Sequence, residues 1–196
     1  MTSRNVKTAV IIHGTPDKEE WFDRGRPSCS NSHWLPWLQK ELLIAGYLAE
    51  TPEMPQAYWP DYDVWKENFE RYKIGEESIL VGHSCGGGFL LRYLSQNPVK
   101  VERVILVAPW LDPFKSRDPE LFNFMLDADI AKRFDMHMIY SDNDMESVGL
   151  TVARLQESLP NLQSHLLRGC GHFCLEDMGT PIFPELLNLC LTGKPA

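Results

Sequence analysis

The sequence has no apolar run approaching the roughly 20 residues that a helix needs to cross a bilayer. It also has no cluster of lysine and arginine, and its formal net charge is −8. A surface of this sign repels phosphate backbones. We therefore expect neither a membrane nor a nucleic acid among the partners of this chain.

Regularly paired cysteines are lacking as well. The five cysteines are an odd number without a repeating spacing, which favours reduced thiols over a disulfide framework. The first apolar run, Ala9 to Ile12, is too short for the core of a signal peptide. These features together predict a cytoplasmic protein.

Internal repeats, low-complexity stretches and linkers are also absent, so the 196 residues are expected to form a single domain, 1–196. Short β-branched runs alternate with segments of helical periodicity. The predicted strands cover 8–13, 48–54, 78–82, 101–108, 137–140 and 163–167, and the predicted helices cover 33–45, 61–72, 86–95, 147–159 and 182–191. This alternation predicts an α/β protein whose parallel sheet has helices on both faces. Ligands of such sheets bind at the carboxyl ends of the strands.

The most specific motif is Gly82-His83-Ser84-Cys85-Gly86, which fits G-x-S-x-G between a buried strand and a helix. A serine on such a turn has a strained backbone, and the flanking positions must be small. The motif therefore predicts Ser84 as a nucleophile. The backbone amide of Cys85, at the start of the helix, and that of Thr15, after the first strand, are the predicted donors to an oxyanion.

A serine nucleophile needs a base and an acid that orients the base. His172 follows the last predicted strand between flexible glycines, and none of the other five histidines stands at a position that the fold requires. Asp142 and Asp144 both follow the preceding strand, and each has an alternative role as a turn-former or helix cap. Loop position favours Asp144, giving the order Ser84, Asp144, His172 that is typical of α/β-hydrolases.

Three other interpretations compete with this one. Cys170, His172 and Cys174 are spaced closely enough for zinc, but no fourth ligand is apparent. Cys85 is adjacent to the turn position and is an alternative nucleophile. A protein that binds without catalysis can also retain a hydrolase fold, and only an assay separates it from an enzyme.

The chain resembles the small α/β-hydrolases related to retinoblastoma-binding protein 9 and the bacterial YdeN proteins. The resemblance extends over nearly the whole length. It rests on residues 10–14, 33–38, 54–55, the segment around Ser84, 141–144, 170–173 and 175–177. It implies a minimal three-layer α/β-hydrolase fold of about six parallel strands, with Asp144 as the catalytic acid.

The resemblance also implies a reduced, lid-like segment at about 109–135 in place of a large lid. Trp110, Phe114 and Phe173 are the candidates for the wall of the substrate pocket. The loop 15–32 looks longer than in the relatives, and its position beside the predicted oxyanion donor Thr15 allows two alternatives, a reshaped acyl pocket or a mobile loop. The animal relative binds a tumour suppressor through a Leu-x-Cys-x-Glu motif, but His172 stands where that motif needs leucine, so this partner is not expected.

The sequence thus predicts a serine hydrolase that cleaves small carboxylic esters through an acyl-enzyme. A small-molecule ester is the expected partner, and no metal or organic cofactor is required. A short segment after the fourth strand favours short acyl chains. The alternative is a non-catalytic protein-interaction module that retains the fold.

Overall fold

The computed structural model describes residues 6–116 and 119–194. Six strands lie within these residues: β1 (Thr8–Ile12), β2 (Leu48–Glu50), β3 (Ser78–His83), β4 (Arg103–Val107), β5 (Asp135–Ser141) and β6 (Gln163–Leu167). All neighbouring pairs are parallel, in the order β2-β1-β3-β4-β5-β6. Every residue of β1, β3 and β4 is buried, as expected of strands that are covered on both faces.

The helices of the described residues are α1 (Lys18–Phe22), α2 (Leu35–Ile44), α3 (Tyr62–Phe69), α4 (Cys85–Gln96), α5 (Pro119–Phe122), α6 (Ile130–Arg133), α7 (Glu146–Ser158), α8 (Leu175–Met178) and α9 (Pro184–Thr192). A short 3-10 helix spans Cys29–Asn31. The chain steps from β1 to β2 in one direction and from β2 to β3 in the other. Because such crossovers are right-handed, α2 and α3 cover opposite faces of the sheet.

Aromatic packing fixes these two helical layers. On the α2 face, the ring of Trp34 meets the ring of Phe183 edge-on at 5.8 Å. On the other face, Trp65 and Phe69 of α3 pack edge-on against Phe89 of α4, at 5.7 and 5.3 Å. The sequence prediction of a minimal three-layer α/β-hydrolase architecture with six parallel strands is confirmed. None of the described helices is both long and apolar enough to span a membrane.

The strand order places the site. It reverses between β1 and β3, so the loops that follow these two strands diverge and leave a crevice at the carboxyl end of the sheet. The loop after β1 carries Thr15, and the loop after β3 carries Ser84. The two residues therefore face the same crevice from neighbouring strands.

Candidate active site

Ser84 lies on the sharp turn between β3 and α4, with φ 53° and ψ −120°. For a residue other than glycine, such a backbone conformation costs about 1–3 kcal/mol. Hydrogen bonds on both sides hold it: the Ser84 N–H donates to the carbonyl of Val107 at 2.9 Å, and the Ser84 carbonyl accepts from the N–H of Trp110 at 3.1 Å. The serine is thus fixed by the strand beside it.

Glycines make this turn sterically feasible. A Cβ on Gly82 would lie 2.7 Å from the carbonyl carbon of Gly86, and a Cβ on Gly86 would lie 2.4 Å from the carbonyl oxygen of Ile12. A Cβ on Gly14 would lie 3.1 Å from the Cβ of Ser84. The loop after β1 therefore approaches the serine closely, because neither Gly14 in this loop nor Gly86 in the turn carries a side chain.

The two predicted oxyanion residues lie together. Thr15 lines the cleft beside Ser84, and its hydroxyl oxygen is 2.8 Å from the sulfur of Cys85. Cys85 is the first residue of α4, so its amide is at the positive end of the helix dipole. The Cys85 side chain is buried and does not line the cleft, which argues against a cysteine nucleophile at this turn.

The structure brings His172 and Asp144 together. Nδ1 of His172 lies 3.0 and 3.1 Å from the two carboxylate oxygens of Asp144. The carboxylate is nearly buried, with 3% of its side chain exposed, whereas the imidazole is 17% exposed at the cleft. Asp142 contacts the backbone N–H of Gly169 and the guanidinium of Arg168 instead, and these two contacts lower the pKa of Asp142.

Side-chain oxygens fix the loop that carries His172. Four successive backbone N–H groups each donate to one: Gly169 to Asp142 at 2.9 Å, Cys170 to Ser141 at 3.0 Å, Gly171 to Asn143 at 2.8 Å, and His172 to Asp177 at 2.8 Å. Most of these oxygens belong to the Ser-Asp-Asn-Asp run that also supplies Asp144. The run therefore positions both members of the His–Asp pair.

His83 also holds the loop that carries His172. Its Nε2 is 2.8 Å from the backbone carbonyl oxygen of His172, which can only accept, so Nε2 carries the proton. Burial, followed by the nearby His172, lowers the pKa of His83 well below its usual value, so the ring is neutral. The sequence analysis assigned no role to His83, whose ring contacts the backbone of the histidine that follows the last strand.

The cleft at this site has a volume of about 1020 Å³. Ser84, His172 and Thr15 line it, and more than half of its lining comes from the loop 15–32 with α1 and the 3-10 helix. The sequence analysis singled out this loop for its length and for its position beside Thr15, with a reshaped acyl pocket as one of two alternatives. The individual residues that line the cleft were not predicted, because nothing in the composition of the loop indicates which of its side chains face the cleft.

The three aromatic residues predicted for the pocket wall lie elsewhere. Trp110 packs edge-on against Phe122 at 5.3 Å, and Phe114 is exposed. Phe173 has a positive φ of 58°, and its side chain is wholly buried and stacks on Phe183 at 5.5 Å. None of the three lines the cleft, so this prediction needs correction for the described residues.

The predicted lid-like segment likewise lies away from the cleft. Of the segment 109–135, residues 117–118 are outside the described part of the chain. The remainder contains α5 and α6 and buries Leu111, Leu121 and Ile130. Its described residues do not line the cleft.

One group of side chains at the cleft rim has metal-ligand chemistry. The ligand atoms of His33, Cys174 and Glu176 lie within 4.8 Å of one another. The Nδ1 of His33 already accepts a hydrogen bond from the N–H of Leu175 at 3.0 Å, and three ligands fall short of a closed zinc site. This is not the set of Cys170, His172 and Cys174 that the sequence suggested.

Known proteins match this chain in sequence and in fold. The model of a family described as Serine hydrolase matches residues 14–187. The putative hydrolase YdeN of Bacillus subtilis strain 168 is 34% identical over 79 residues, which are 39% of this chain and 42% of YdeN, so the match spans less than half of that protein. The resemblance to the YdeN proteins is confirmed, and the link to retinoblastoma-binding protein 9 stays a prediction.

Solved structures extend the match to the whole fold. The crystal structure of the ydeN gene product from B. subtilis has a TM-score of 0.77 at 25% identity, covering 95% of this chain and 98% of that chain. The carboxylesterase CesB (YbfK) from Bacillus subtilis has a TM-score of 0.58 at 12% identity, covering 98% and 86%. The second comparison concerns the fold alone.

Proposed function

The chain belongs to the serine hydrolase family, and from this premise we propose that it hydrolyses small carboxylic esters through Ser84, His172 and Asp144. The observation that carries the proposal is the pair of contacts from His172 Nδ1 to both oxygens of Asp144, in the cleft that Ser84 also lines. A histidine oriented by a buried carboxylate next to a strained serine is the arrangement that acyl transfer requires.

The proposed reaction has two halves. His172 Nε2 takes the proton of the Ser84 hydroxyl as the oxygen attacks the ester carbonyl, and it then gives that proton to the departing alcohol. The backbone amides of Thr15 and Cys85 stabilise the oxyanion of each tetrahedral intermediate. Water, activated by the same imidazole, hydrolyses the acyl-enzyme and releases the acid.

Asp144 sets the tautomer in this scheme. Its oxygens accept from Nδ1–H of His172, so the lone pair of Nε2 is left for the proton of the serine. The hydrogen bonds of the described residues include none between the Ser84 hydroxyl and His172. Such contacts are often loose without substrate, and we propose that binding of the ester closes this one.

Steady-state hydrolysis of p-nitrophenyl esters tests the proposal. We expect turnover of the acetate and butyrate to exceed that of the octanoate and palmitate, and Ser84→Ala to lower kcat by about 10⁶-fold. Activity that survives in Ser84→Ala would contradict the role of Ser84. Faster turnover of the long-chain esters would contradict the short-chain preference. We also propose a cytoplasmic location, which is supported by the finding that none of the five cysteines, all within the described residues, forms a disulfide.

A further inference from the structure

The cleft carries an excess of negative charge. Within the described residues, its charged lining consists of four carboxylates and one guanidinium, from Glu20, Asp23, Glu53, Glu176 and Arg26. Arg26 is already engaged, since it contacts Glu20 and its Nε lies 4.0 Å from Asp23. The carboxylates of Glu53 and Glu176 therefore have no fixed cation of the cleft to balance them.

The two histidines next to these carboxylates, His13 and His33, do not offset this charge. His33 lies 3.9 Å from Glu176, but its Nδ1 accepts from the N–H of Leu175 and thus carries no proton. His13 donates from Nδ1 to the carbonyl of Gly14 at 2.6 Å and accepts at Nε2 from an amide. Burial lowers the pKa of both rings, so both are neutral at pH 7.

One carboxylate oxygen of Glu53 lacks a strong hydrogen-bond donor. Its Oε2 accepts from the N–H of Ser30 at 2.9 Å, whereas its Oε1 is buried and meets no N–H of the described residues in hydrogen-bond geometry. The nearby ring nitrogen, Nε2 of His13 at 3.7 Å, is itself an acceptor, for the N–H of Met54. The thiol of Cys29 hydrogen-bonds to this carboxylate, and a thiol is a weak donor. A carboxylate in this state, with 35% of its side chain exposed, is stabilised by a ligand that places a positive charge beside it.

Two thiols in the cleft respond to the same field. Burial, and then the charges of Glu53 and Glu20, raise the pKa of Cys29 to about 12. Burial, and then the charges of nearby carboxylates that include Glu176, raise the pKa of Cys174 to about 12. Burial is the largest cause of both shifts, and the carboxylates of the cleft add to it at two separate points of the wall.

Trp21 adds an aromatic surface to this cleft. It lines the same loop wall as Glu20, and its ring packs against Tyr58 at 5.8 Å. An indole next to carboxylates is a combination that recognises alkylammonium groups, through the ring quadrupole and the charges together. The cleft is also larger than a short acyl group requires.

We propose that the cleft selects esters that bear an alkylammonium substituent, which the carboxylate of Glu53 holds while Ser84 attacks the carbonyl. Glu176 and Trp21 line the space around the cation. This inference rests on the proposed hydrolase function and names its substrate class. It also predicts that esters with a carboxylate in the substituent are poor substrates.

Isosteric pairs of esters isolate the charge from the shape. Acetylcholine and 3,3-dimethylbutyl acetate differ by nitrogen for carbon in the alcohol. The p-nitrophenyl esters of 4-(trimethylammonio)butyrate and 5,5-dimethylhexanoate differ in the same way in the acyl group. We expect kcat/KM of the cationic member to be at least about tenfold higher in one of the pairs. The preference should shrink between 50 mM and 0.5 M NaCl, because salt screens charges in an open cleft.

Glutamine variants identify which carboxylate causes the preference for the cationic ester. Glu53→Gln retains an acceptor for the Ser30 amide and should lower the cationic-to-neutral ratio by about tenfold. Glu176→Gln, at a side chain that is 71% exposed, should lower the ratio less. Glu157→Gln removes the same charge from the exposed face of α7, outside the cleft, and should leave the ratio unchanged.

The outcomes separate this inference from the function on which it rests. Turnover of the neutral esters with ratios near one in both pairs would overturn the charge selection and leave the hydrolase function intact. An equal fall of the ratio in Glu53→Gln and Glu157→Gln would also overturn it, since net charge alone would then explain the preference. No turnover of any ester by folded protein would overturn both.

Discussion

Two Asp–His pairs lie at opposite ends of β5, with the same separation and different surroundings. At the carboxyl end, Asp144 and His172 are 3.0 Å apart. Near the start of the strand, Oδ1 of Asp135 and Nε2 of His137 are also 3.0 Å apart, although outside hydrogen-bond geometry. The distance between the partners therefore does not distinguish the candidate catalytic pair from the other.

The residues around each pair distinguish the candidate catalytic pair from the other. His172 is partly exposed in a cleft that also holds Ser84. His137 is wholly buried and stacks on His165 at 5.3 Å. Burial raises the pKa of Asp135, but the 2.7 Å hydrogen bond from Arg103, the charges of His137 and Arg103 and the hydrogen bond from Gln163 together lower it below its usual value. An Asp–His pair supports catalysis where a nucleophile and open space adjoin it, and elsewhere it is part of the packing.

Replacing each histidine separates the two roles most strongly. We expect His172→Ala to lower kcat by about 10⁶-fold, because the serine loses its base, with little change in stability. His137→Ala should leave kcat of the folded protein within a fewfold and lower the free energy of unfolding by about 1–3 kcal/mol. Ester hydrolysis and urea unfolding of both variants measure this. The reverse pattern would show that the wrong pair has been assigned to catalysis.

The aspartates provide the next largest effect. Asp144→Asn should lower kcat by about 10⁴-fold, since an amide no longer fixes the tautomer of His172. Asp142→Asn, two residues earlier, keeps an oxygen for the amide of Gly169 and should cost less than about tenfold. Steady-state kinetics on the same ester compare them directly. Equal losses in the two variants would refute the choice of Asp144 over Asp142.

Variants of His83 test whether His172 needs the hydrogen bond that the buried ring of His83 donates to its carbonyl. His83→Ala removes the donor to the His172 carbonyl and should lower kcat by about 10- to 100-fold, because small displacements of a base are costly. KM should change little. His83→Gln retains a side-chain N–H donor and should recover part of kcat. A loss of stability with kcat unaffected would instead show that His83 serves the fold alone.

Much of this architecture follows from local sequence. The glycines around Ser84 are predictable because the turn leaves no room for a Cβ, and β-branched runs indicate buried strands. What escaped prediction depends on contacts between distant residues. His33 accepts a hydrogen bond from the N–H of Leu175, 142 positions away in the sequence. Phe173 is buried against Phe183 and has a positive φ, neither of which its sequence neighbours reveal.

The smallest expected effect is a pH dependence of stability that arises from the buried His137, near the start of β5. Burial lowers the pKa of His137 in the folded state, whereas in the unfolded chain this pKa has its usual value of about 6.5. As the pH falls, the unfolded chain therefore binds the proton first. Stability is then fully present above pH 6.5 and is lost as the pH falls below it, by up to about 1.4 kcal/mol per pH unit for one histidine. Urea unfolding at pH 7.5 and 5.5 measures this loss. It should be smaller in His137→Ala, and an equal loss in the variant would contradict the assignment to His137.

The central claim is that Ser84 is an activated nucleophile, and a fluorophosphonate probe tests it most directly. Wild type, Ser84→Ala and Asp144→Asn would be labelled, and the adduct would be mapped by mass spectrometry. We predict one stoichiometric adduct on Ser84, slow labelling of Asp144→Asn, and none of Ser84→Ala. A folded wild-type protein that stays unlabelled, or an adduct on another residue, would contradict the account and favour a non-catalytic binding protein.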